Sequence, residues 1–536
     1  MKKIIMGIIL CMLIVGTVLP VTARTVDDII LPPPKGNTLY VGGSGEGNYT
    51  CIQDAINDSI DGDTVFVYSG TYNEKIEIDV SINLVGEDKN STIIIGNNIP
   101  NEEVINVAAI YVKICGFTVK SEGSSTGIKI DKHGYNTIRD NIIKDCYTGV
   151  YIYSRQYSRS NYNTIIGNLV YNNTNGITLS YASYNTIIDN NVTKNQDEGI
   201  FILGGYSNNI INNNIFNNEE EGIVIWGDYL TITNNDIINN EGNGIRFSGP
   251  DEYREHINIV DNLISKNGLD GIWIYQRIRN CSFLNNIISS NGNSGFSCAM
   301  PGNNPIFENN YFIGNSFWKN KGDGIYLYVS LPDLIDKNYF YHNNFINNYA
   351  NAHDNTNNKW DNGYPSGGNY WSDYTGEDNN GDGIVDKPYN RVWGADNKDR
   401  FPLIKAWGSL NFPPDNPTIL GKRKFRAGEG GIYTYTIYTK DHNGDNVSYL
   451  ISWSDGTQEW TDYYESEEEI KIDVDIPLEN GTYELFKIKA KDIYGAEGNW
   501  ETLEISVPRN CATPGSFCLR FIDMFLILKR ILLLII

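Results

Sequence analysis

The chain has few of the residues that build soft-metal sites, redox centres or disulfide frameworks. Its 536 residues include eight cysteines, five histidines and five methionines. The cysteines form no CxxC pair and no dense framework, so disulfides are not expected to stabilise the fold. Copper and similar metals need His, Met or Cys side chains grouped together, and the five histidines share no ligand spacing. Each histidine is interpreted more simply as a surface residue.

Positive charge is also scarce. The chain has 42 lysine and arginine residues against 65 aspartate and glutamate residues, which gives a formal net charge of −23. Nucleic acids and anionic membrane surfaces repel such a chain, so neither is expected as a partner. The balance suits a soluble exported protein, especially one that holds cations.

Segments with helical periodicity are missing from the repeated region, and a short sequence motif recurs in their place. A Gly is followed by an apolar, an outward and another apolar residue, at intervals of 22 to 29 residues. The motif begins at Gly127, Gly149, Gly176, Gly199, Gly222, Gly244, Gly271, Gly295 and Gly324. Such a period indicates a solenoid whose coils bury their apolar faces against each other. Alternating Ile, Val and Tyr predict short strands, so the expected fold class is an all-β, right-handed, single-stranded parallel β-helix.

A second recurring feature is an Asn followed by an apolar pair. Its members are Asn141, Asn168, Asn190, Asn213, Asn235, Asn262, Asn286, Asn310 and Asn344. Asn adopts positive φ at low cost, so these residues are predicted at turns. Stacked Asn side chains can also hydrogen-bond from coil to coil. We therefore predict a structural row, in which Asn213→Leu lowers stability and leaves activity unchanged.

A short amphipathic helix is predicted to cap the solenoid, because a bare end would be an open sheet edge. Thr50 and Gln53 have capping-box spacing. Ile52, Ala55, Ile56 and Ile60 lie on one helical face. The helix is expected to stop at Asp61-Gly62-Asp63, before a strand over 64–68.

Several motifs in this part of the chain resemble the start of pectin-lyase-like proteins. They are Thr38-Leu39-Tyr40-Val41, Ile52-Gln53-Asp54-Ala55-Ile56, Gly62-Asp63-Thr64-Val65, Gly70-Thr71-Tyr72 and Gly86. Residues 36–350 resemble that superfamily, and the repeats resemble its NosD-like branch, named for carbohydrate-binding proteins and sugar hydrolases. The resemblance implies the β-helix fold and says little about chemistry. The NosD name also implies copper, which the scattered histidines do not support.

Residues 351–405 are rich in Asn, Asp, Gly, Tyr and Trp and are predicted to close the solenoid. This segment resembles one that recurs at the end of archaeal surface β-helix proteins. Within it, oxygen ligands follow calcium-loop spacing at Asp378, Asn380, Asp382, Ile384 (through its carbonyl) and Asp386. Gly383 occupies the tight-turn position, but Tyr389 replaces the bidentate Glu of an EF-hand. The sequence predicts a structural Ca²⁺ site, the alternative being a solvated loop that binds nothing.

The C-terminal part is divided by a Pro-rich linker over residues 411–417. Five alternating strands follow within residues 418–508, together with Trp453 and Asp455-Gly456-Thr457. This part resembles PKD-type, immunoglobulin-like surface domains, which implies a β-sandwich that serves as a spacer or weak binder, with Trp453 in its core.

Both ends of the chain indicate export. Lys2, Lys3, an apolar run over 4–19 and the small residues before position 24 predict a secretory signal peptide over residues 1–23. Residues 517–536 are apolar but interrupted by charges, so no uninterrupted apolar run among them is long enough to span a bilayer. They are predicted either to attach the chain to a membrane or envelope or to form a small packing helix. The expected location is extracellular, at the cell surface.

Catalytic motifs of the resembled superfamily are missing from the sequence. There is no Asn-Thr-Asp and no Gly-His-Gly, and the one Asp-Asp pair, Asp27-Asp28, lies outside the repeats. Carboxylates from different coils, such as Asp131 and Asp140, could still face each other. A polysaccharide lyase or glycoside hydrolase therefore remains the alternative function, and copper handling is the least favoured one. No catalytic residue is assigned.

Aromatic residues are concentrated at the outward positions two and four residues after each repeated Gly. They are Tyr151, Tyr153, Phe201, Trp226, Trp273, Tyr275, Tyr326 and Tyr328. Eight of the eighteen such positions are aromatic, against 12% of the whole chain. Exposed aromatics along a polar solenoid can stack against sugar rings. A bland sheet surface, a covering loop or a protein-binding face are the alternatives. The sequence thus favours binding of a polysaccharide or glycoconjugate, or a structural role in the envelope.

Overall fold

The computed structural model describes residues 35–97, 99–100, 102–154, 160–249, 254–300, 306–329, 336–408, 410–425, 431–476, 479 and 481–507. The signal-peptide and tail predictions, over 1–23 and 517–536, lie outside these ranges. Among the described residues, no helix is long and apolar enough to cross a membrane.

The chain winds into a solenoid with three long parallel sheets, and each coil contributes one strand to each sheet in turn. Sheet 1 consists of Thr38–Val41, Thr64–Val67, Asn83–Gly86, Lys113–Cys115, Thr137–Arg139, Thr164–Ile166, Thr186–Ile188, Asn209–Ile211, Thr231–Thr233, Asn258–Val260, Ser282–Leu284, Tyr311–Ile313, Asp336–Tyr341 and Asn357–Lys359. Sheet 2 consists of Gly70–Asn73, Thr92–Ile95, Thr118–Lys120, Ile142–Lys144, Leu169–Tyr171, Asn191–Thr193, Asn214–Phe216, Asp236–Ile238, Leu263–Ser265, Ile287–Ser289, Ser316–Trp318, Asn344–Ile346 and Tyr370–Trp371. Sheet 3 consists of Ile76–Ile78, Glu103–Val107, Thr126–Asp131, Thr148–Tyr153, Asn175–Ser180, Ile200–Tyr206, Ile223–Asp228, Ile245–Phe247, Ile272–Ile274, Phe296–Met300, Ile325–Val329, Ala352–Asp354 and Trp393–Gly394.

The predicted inward positions form the core. In sheet 3 the residues one and three after each repeated Gly are buried, as Ile200 and Ile202 illustrate. Their neighbours at the outward positions alternate with them, which is the period of a strand with one face on the core. The five described cysteines are not in disulfides, so stacking of the coils stabilises this part of the chain.

Asn side chains form continuous ladders at the corners between the sheets. Asn213 is typical: its Nδ2 atom donates to Oδ1 of Asn235 at 3.0 Å, and Asn190 donates to Asn213 in the same way. The ladder at the corner of sheets 1 and 2 comprises Asn141, Asn168, Asn190, Asn213, Asn235, Asn262, Asn286, Asn315, Asn343 and Asn369. Coil-to-coil hydrogen bonding by these residues is therefore present as predicted.

Two details of the Asn prediction were wrong. Asn310 belongs to the corner of sheets 3 and 1, where it donates to Asn338, and Asn344 lies inside a sheet 2 strand. In addition, the positive φ angle falls on the residue before each ladder Asn from Asn141 to Asn343, for example Asn212 at 54° and Asn234 at 54°. The ladder residue itself turns its amide inward, where both its donors and its acceptor find partners.

The N-terminal helix spans Ile52–Asn57 and buries Ile52, Ala55 and Ile56 against the first coil, as predicted. The prediction of a capping box formed by Thr50 and Gln53 was wrong. Cys51 is the N-cap and makes no side-chain hydrogen bond there. Instead, the Glu74 carboxylate of the first coil accepts from the backbone N–H groups of Ile52 and Gln53. Ile60 lies beyond the helix and is 65% exposed, so it is not part of the buried face.

Aromatic rings replace aliphatic side chains in the last coils and close the solenoid. Trp371 stacks on Phe345 with ring centres 4.4 Å apart, and Tyr389 covers Trp371 at 4.0 Å. Trp360 stacks in the same way on Phe340. Strands from 352–394 continue all three sheets, so the Asn/Asp/Gly-rich segment adds a final coil before it covers the end.

Two antiparallel sheets follow the linker. One contains Thr418–Leu420, Gly431–Tyr438 and Ile470–Ile476, and the other contains Val447–Trp453, Gln458–Trp460, Gly481–Asp492 and Glu501–Val507. Residues of both sheets form a single apolar core around Tyr435, Tyr449 and Ile488. Trp453 is half-buried and packs edge-on against Phe486.

Candidate functional site

The outer face of sheet 3 carries all eight aromatic residues predicted to bind ligand, Tyr275 immediately following its strand. We call the positions two residues after each repeated Gly the central line, and those four residues after it the distal line. Strand pairing aligns the central line from Lys129 through Tyr151, Thr178, Phe201, Val224, Arg246, Trp273 and Ser297 to Tyr326. The distal line holds Tyr153, Trp226, Tyr275 and Tyr328. The predicted placement on one outward face is therefore observed, and the role in ligand binding stays a prediction.

None of these eight aromatic side chains is buried. Tyr275 is 52% exposed and Tyr328 is 45% exposed, and the other six are half-buried. Smaller central-line residues such as Thr178 and Ser297 are covered by their larger neighbours. The face is thus corrugated, with rings standing above short side chains.

The aromatic line continues beyond the last repeated Gly. His353 pairs in register with Tyr326, and Trp393 pairs in register with His353. The His353 and Tyr326 rings are 5.0 Å apart, and Trp393 is 67% exposed. Sequence reasoning missed both residues because the final coil has Asn351 in place of the repeated Gly and a long insertion before Trp393.

Two pairs of rings lie side by side within single strands. The Tyr151 and Tyr153 rings are 5.8 Å apart and nearly parallel, and the Trp273 and Tyr275 rings are 5.9 Å apart and tilted by 37°. Side chains at positions i and i+2 of a strand point the same way, so each pair offers a surface about two rings wide.

A row of carboxylates borders the face on the side of sheet 2. It occupies the position before the repeated Gly and contains Glu198, Glu221, Asp270 and Asp323; we call it the acidic edge. Asp270 is 6% exposed, and burial raises its pKa to about 6 although the Ser294 N–H donates to it at 2.8 Å. Burial also raises the pKa of Glu198, assisted by nearby Asp197 and Glu221. The same 22–29-residue period could have revealed this row.

A ladder of tyrosines borders the face on the other side, at the corner of sheets 3 and 1. Tyr111, Tyr135, Tyr162 and Tyr184 stack with ring centres 5.0 to 5.4 Å apart, and Tyr206 meets Tyr184 edge-on. The first four have φ between 56° and 62°, an unfavourable region for a bulky residue. Because stacked rings cover each other's faces, this tyrosine ladder presents ring edges and hydroxyl groups to solvent.

The predicted calcium loop is held by its own side chains. The Asp378 carboxylate accepts from the backbone N–H groups of Gly381, Asp382 and Gly383. Asp382 accepts from Ile384 N–H, and Asp386 accepts from Asn379. No group of three or more His, Cys, Asp or Glu side chains within the described part of the chain is arranged to hold a metal ion. The calcium site stays a prediction.

Asp131 and Asp140, considered as facing carboxylates, belong to different surfaces. Asp131 ends a sheet 3 strand and lies 4.0 Å from the Lys129 ammonium. Asp140 follows a sheet 1 strand and accepts from Arg139 at 2.7 Å. The structure does not bring this pair together as a catalytic pair would require.

The repeats match one protein-family model, described as the right-handed β-helix region. It matches residues 87–252 and 221–381, which together exceed half of the chain. The chain belongs to the right-handed β-helix family. This assignment confirms the right-handed parallel solenoid. A search of curated proteins found no match.

Solved structures with a similar fold include two proteins of low sequence identity. The A-module of a mannuronan C-5 epimerase from Azotobacter vinelandii is 14% identical, with a TM-score of 0.44 over 57% of this chain and 92% of that one. The catalytic domain of a GH87 α-1,3-glucanase, in complex with nigerose, is 14% identical, with a TM-score of 0.40 over 60% and 67%. A PKD domain of a peptidase from a Thermoplasmatales archaeon is 40% identical over 19% of this chain and 100% of its own, with a TM-score of 0.17.

Proposed function

We propose that this β-helix protein is exported to the cell surface and binds an extended polysaccharide along the outer face of sheet 3. One observation carries the proposal: eight aromatic side chains occupy the central and distal lines of a single sheet, and none of them is buried. A partly exposed aromatic surface of this length is unusual on a polar protein. It fits a long, ring-containing ligand.

The spacing of the coils suits a polymer. Neighbouring strands lie about 4.8 Å apart, so the rings of the central line recur along the solenoid axis at multiples of that distance. A polysaccharide lying along the axis would meet Tyr151, Phe201, Trp273 and Tyr326 in turn. Aromatic faces stack on many kinds of sugar ring, so we expect broad specificity and weak binding at each ring.

Trp273 is the best-placed single ring of the proposed site. It pairs with Tyr275 on its own strand, and Arg246 on the preceding coil lies 5.3 Å from its ring centre. The Arg246 guanidinium packs against the indole, so the Trp273 ring is already oriented in the absence of ligand. Preorganised aromatic side chains bind with less loss of entropy.

The decisive experiment measures retention on a panel of soluble polysaccharides by affinity electrophoresis, for the natural protein and for Trp273→Ala. Trp460→Ala is a matched control, because Trp460 is an exposed tryptophan of the C-terminal sheets with the Lys491 ammonium 3.8 Å from its ring centre. We expect Trp273→Ala to weaken binding at least fivefold and Trp460→Ala to leave it unchanged. Equal effects of the two changes would contradict the proposal.

A polysaccharide-degrading activity is the second candidate. It is favoured by the acidic edge, where Asp270 has a pKa of about 6 while Glu221 is ion-paired with Arg246. Two carboxylates in unlike environments are the arrangement that acid–base catalysis uses. Incubation with each retained polysaccharide, followed by assay of reducing ends and of unsaturated ends, tests this activity. Copper handling has no comparable structural support among the described residues.

The remaining parts of the chain are proposed to serve display and attachment. The two C-terminal sheets have the strand count and shared core of an immunoglobulin-like module, and the PKD-type resemblance supports a spacer. Signal-peptide processing after residue 23, a structural Ca²⁺ at Asp378–Asp386 and attachment through 517–536 complete the proposal. Fractionation of expressing cells with and without residues 517–536 would test the attachment.

A further inference from the structure

We infer that the face of sheet 3 selects polysaccharides that carry no carboxylate or sulfate groups. This inference rests on the proposed function and names the ligand class of the same site. It comes from the distribution of charge around the aromatic lines. That distribution has two parts, the acidic edge and the pairing of the few cations on the face.

The acidic edge places negative charge beside the rings. Between the strands Thr126–Asp131 and Ile325–Val329, the edge, central and distal positions hold five carboxylates, from Asp131, Glu198, Glu221, Asp270 and Asp323. The same positions hold two cations, Lys129 and Arg246. A polymer lying on the central line would run alongside this row of carboxylates. Carboxylates accept hydrogen bonds from sugar hydroxyl groups and repel acidic substituents.

Both cations are already engaged. The Lys129 ammonium lies 3.8 Å from the Glu103 carboxylate and 4.0 Å from Asp131. Arg246 donates to Glu221 at 3.2 Å and lies over the Trp273 ring. An acidic sugar that approached either cation would meet the protein carboxylate that already neutralises it. Recognition of polyanions normally relies on Arg or Lys groups that face the ligand, and these two face protein carboxylates instead.

Asn243 and Ser294 show that the negative charge is not needed for the fold at this edge. They occupy the same position of the repeat as Glu221 and Asp270, and each accepts from a backbone N–H of the following coil as Asp270 does. The Asn243 Oδ1 atom accepts from the Asp270 N–H at 3.1 Å, and Ser294 Oγ accepts from the Asp323 N–H at 3.2 Å. Neutral side chains therefore suffice for coil stacking, which leaves the two less buried carboxylates of the edge, Glu198 and Asp323, available for discrimination.

The test compares neutral polymers with acidic derivatives of the same backbone. Dextran, laminarin and hydroxyethyl cellulose serve as neutral probes, and their carboxymethylated forms as acidic ones, in about 20 mM salt and again in 150 mM salt. The natural protein is compared with the double variant Glu198→Gln, Asp323→Asn. Asp236→Asn is the control, because Asp236 is an exposed carboxylate on sheet 2. Thermal melting confirms that each variant is folded.

We expect at least tenfold weaker binding of the carboxymethylated form of any retained backbone, with the ratio falling at higher salt because ions screen the repulsion. The double variant should reduce the ratio at least threefold, and Asp236→Asn should not. Equal or tighter binding of the acidic form, still sensitive to Trp273→Ala, would overturn this inference and leave the proposed function intact. The inference would also be overturned if Asp236→Asn changed the ratio of neutral to acidic binding as much as the double variant does. The net charge of the protein would then be the cause of the discrimination. Absence of binding to both forms of every backbone would overturn the proposed function and the inference with it.

Discussion

The Arg246 guanidinium connects three successive coils of the candidate face. It donates from Nη1 to Oε1 of Glu221 on the preceding coil at 3.2 Å and lies 5.3 Å from the centre of the Trp273 ring on the following one. Asn243, on the same coil as Arg246, also donates to this Glu221 oxygen. One side chain thus joins the acidic edge to the aromatic lines.

Arg246→Gln should weaken polysaccharide binding less than Trp273→Ala does. The change removes a partly exposed ion pair and a cation–π contact, each of which contributes on the order of 0.5–1 kcal/mol at such sites. The Trp273 ring remains but loses its support, so we expect a two- to threefold loss of affinity. Titration with the best-retained neutral polymer, monitored by tryptophan fluorescence, measures the loss of affinity. A loss as large as that of Trp273→Ala would indicate that Arg246 itself binds the polymer.

Asn213→Leu should destabilise the solenoid strongly. The Asn213 amide donates to the Ile187 and Ile211 carbonyls at 2.9 Å and to Asn235 Oδ1 at 3.0 Å, all in the buried interior of a corner. Leucine would leave the backbone N–H of Asn190 without its acceptor, and the two carbonyls and Asn235 Oδ1 would each lose the Asn213 amide as a donor. Unsatisfied buried polar groups cost about 1–3 kcal/mol each, so we expect a loss of more than 3 kcal/mol in unfolding free energy.

Asn214→Leu provides the matched control for this change. Asn214 is the next residue, lies on the exposed face of sheet 2 and makes one exposed hydrogen bond to Asn191. We expect its substitution to change the unfolding free energy by less than about 0.5 kcal/mol, as surface substitutions usually do. Urea denaturation of the two variants measures the difference. Similar midpoints would show that the ladder is not a principal source of stability.

The solenoid was predictable because one local pattern specifies the whole architecture. A residue such as Ile200 is buried in every repeat at the same offset from Gly, so its period alone predicts strands, sheet and outward face. The predicted Asn row was misassigned at Asn310 because up to three Asn positions occur in each coil, one at each corner between sheets. Sequence spacing cannot distinguish these corners once the intervals become irregular near residue 300.

The borders of the candidate face were missed for a different reason. Glu221 and Asp270 alternate with Asn243 and Ser294 at one position, so the row is visible only when the residues before each repeated Gly are compared with one another. Tyr135 and Tyr162 occupy a positive-φ position where Asn or Gly would be expected. Backbone propensity therefore does not predict Tyr at this position. Their stacking depends on coil-to-coil register, which only the folded structure supplies.

Calcium should stabilise the C-terminal end of the solenoid if Asp378, Asn380, Asp382 and Asp386 bind it. Removal of calcium with EGTA is then expected to lower the melting temperature of the natural protein by several degrees, since bound ligand stabilises the folded state by mass action. Asp382→Ala should abolish the effect. Asp396→Ala, which changes an exposed carboxylate elsewhere in the same cap, should retain it. A melting temperature that is independent of calcium would count against the site.

Asp270 should make the stability of the solenoid depend on pH. Burial raises its pKa from 3.8 to about 6, while the Ser294 N–H and the Asn293 side chain oppose the shift. Between these two values the folded state binds a proton that the unfolded state releases. Stability contributed by this group therefore increases as pH falls from about 6 to about 4, and is absent above pH 6.

Asp270→Asn should remove this dependence, because Asn already serves at the same position as Asn243 and can still accept from Ser294. At pH 7.5 the variant should gain about 3 kcal/mol in unfolding free energy, since the shift from 3.8 to about 6 corresponds to about 1.4 kcal/mol per pKa unit. Below pH 4 it should gain nothing, because the buried Asp is neutral there as well. Urea denaturation of both proteins at pH 4 and pH 7.5, with Asp236→Asn as an exposed control, measures the difference. If the gain were the same at both pH values, titration of the Asp270 carboxylate would not be its cause, and the raised pKa would be contradicted.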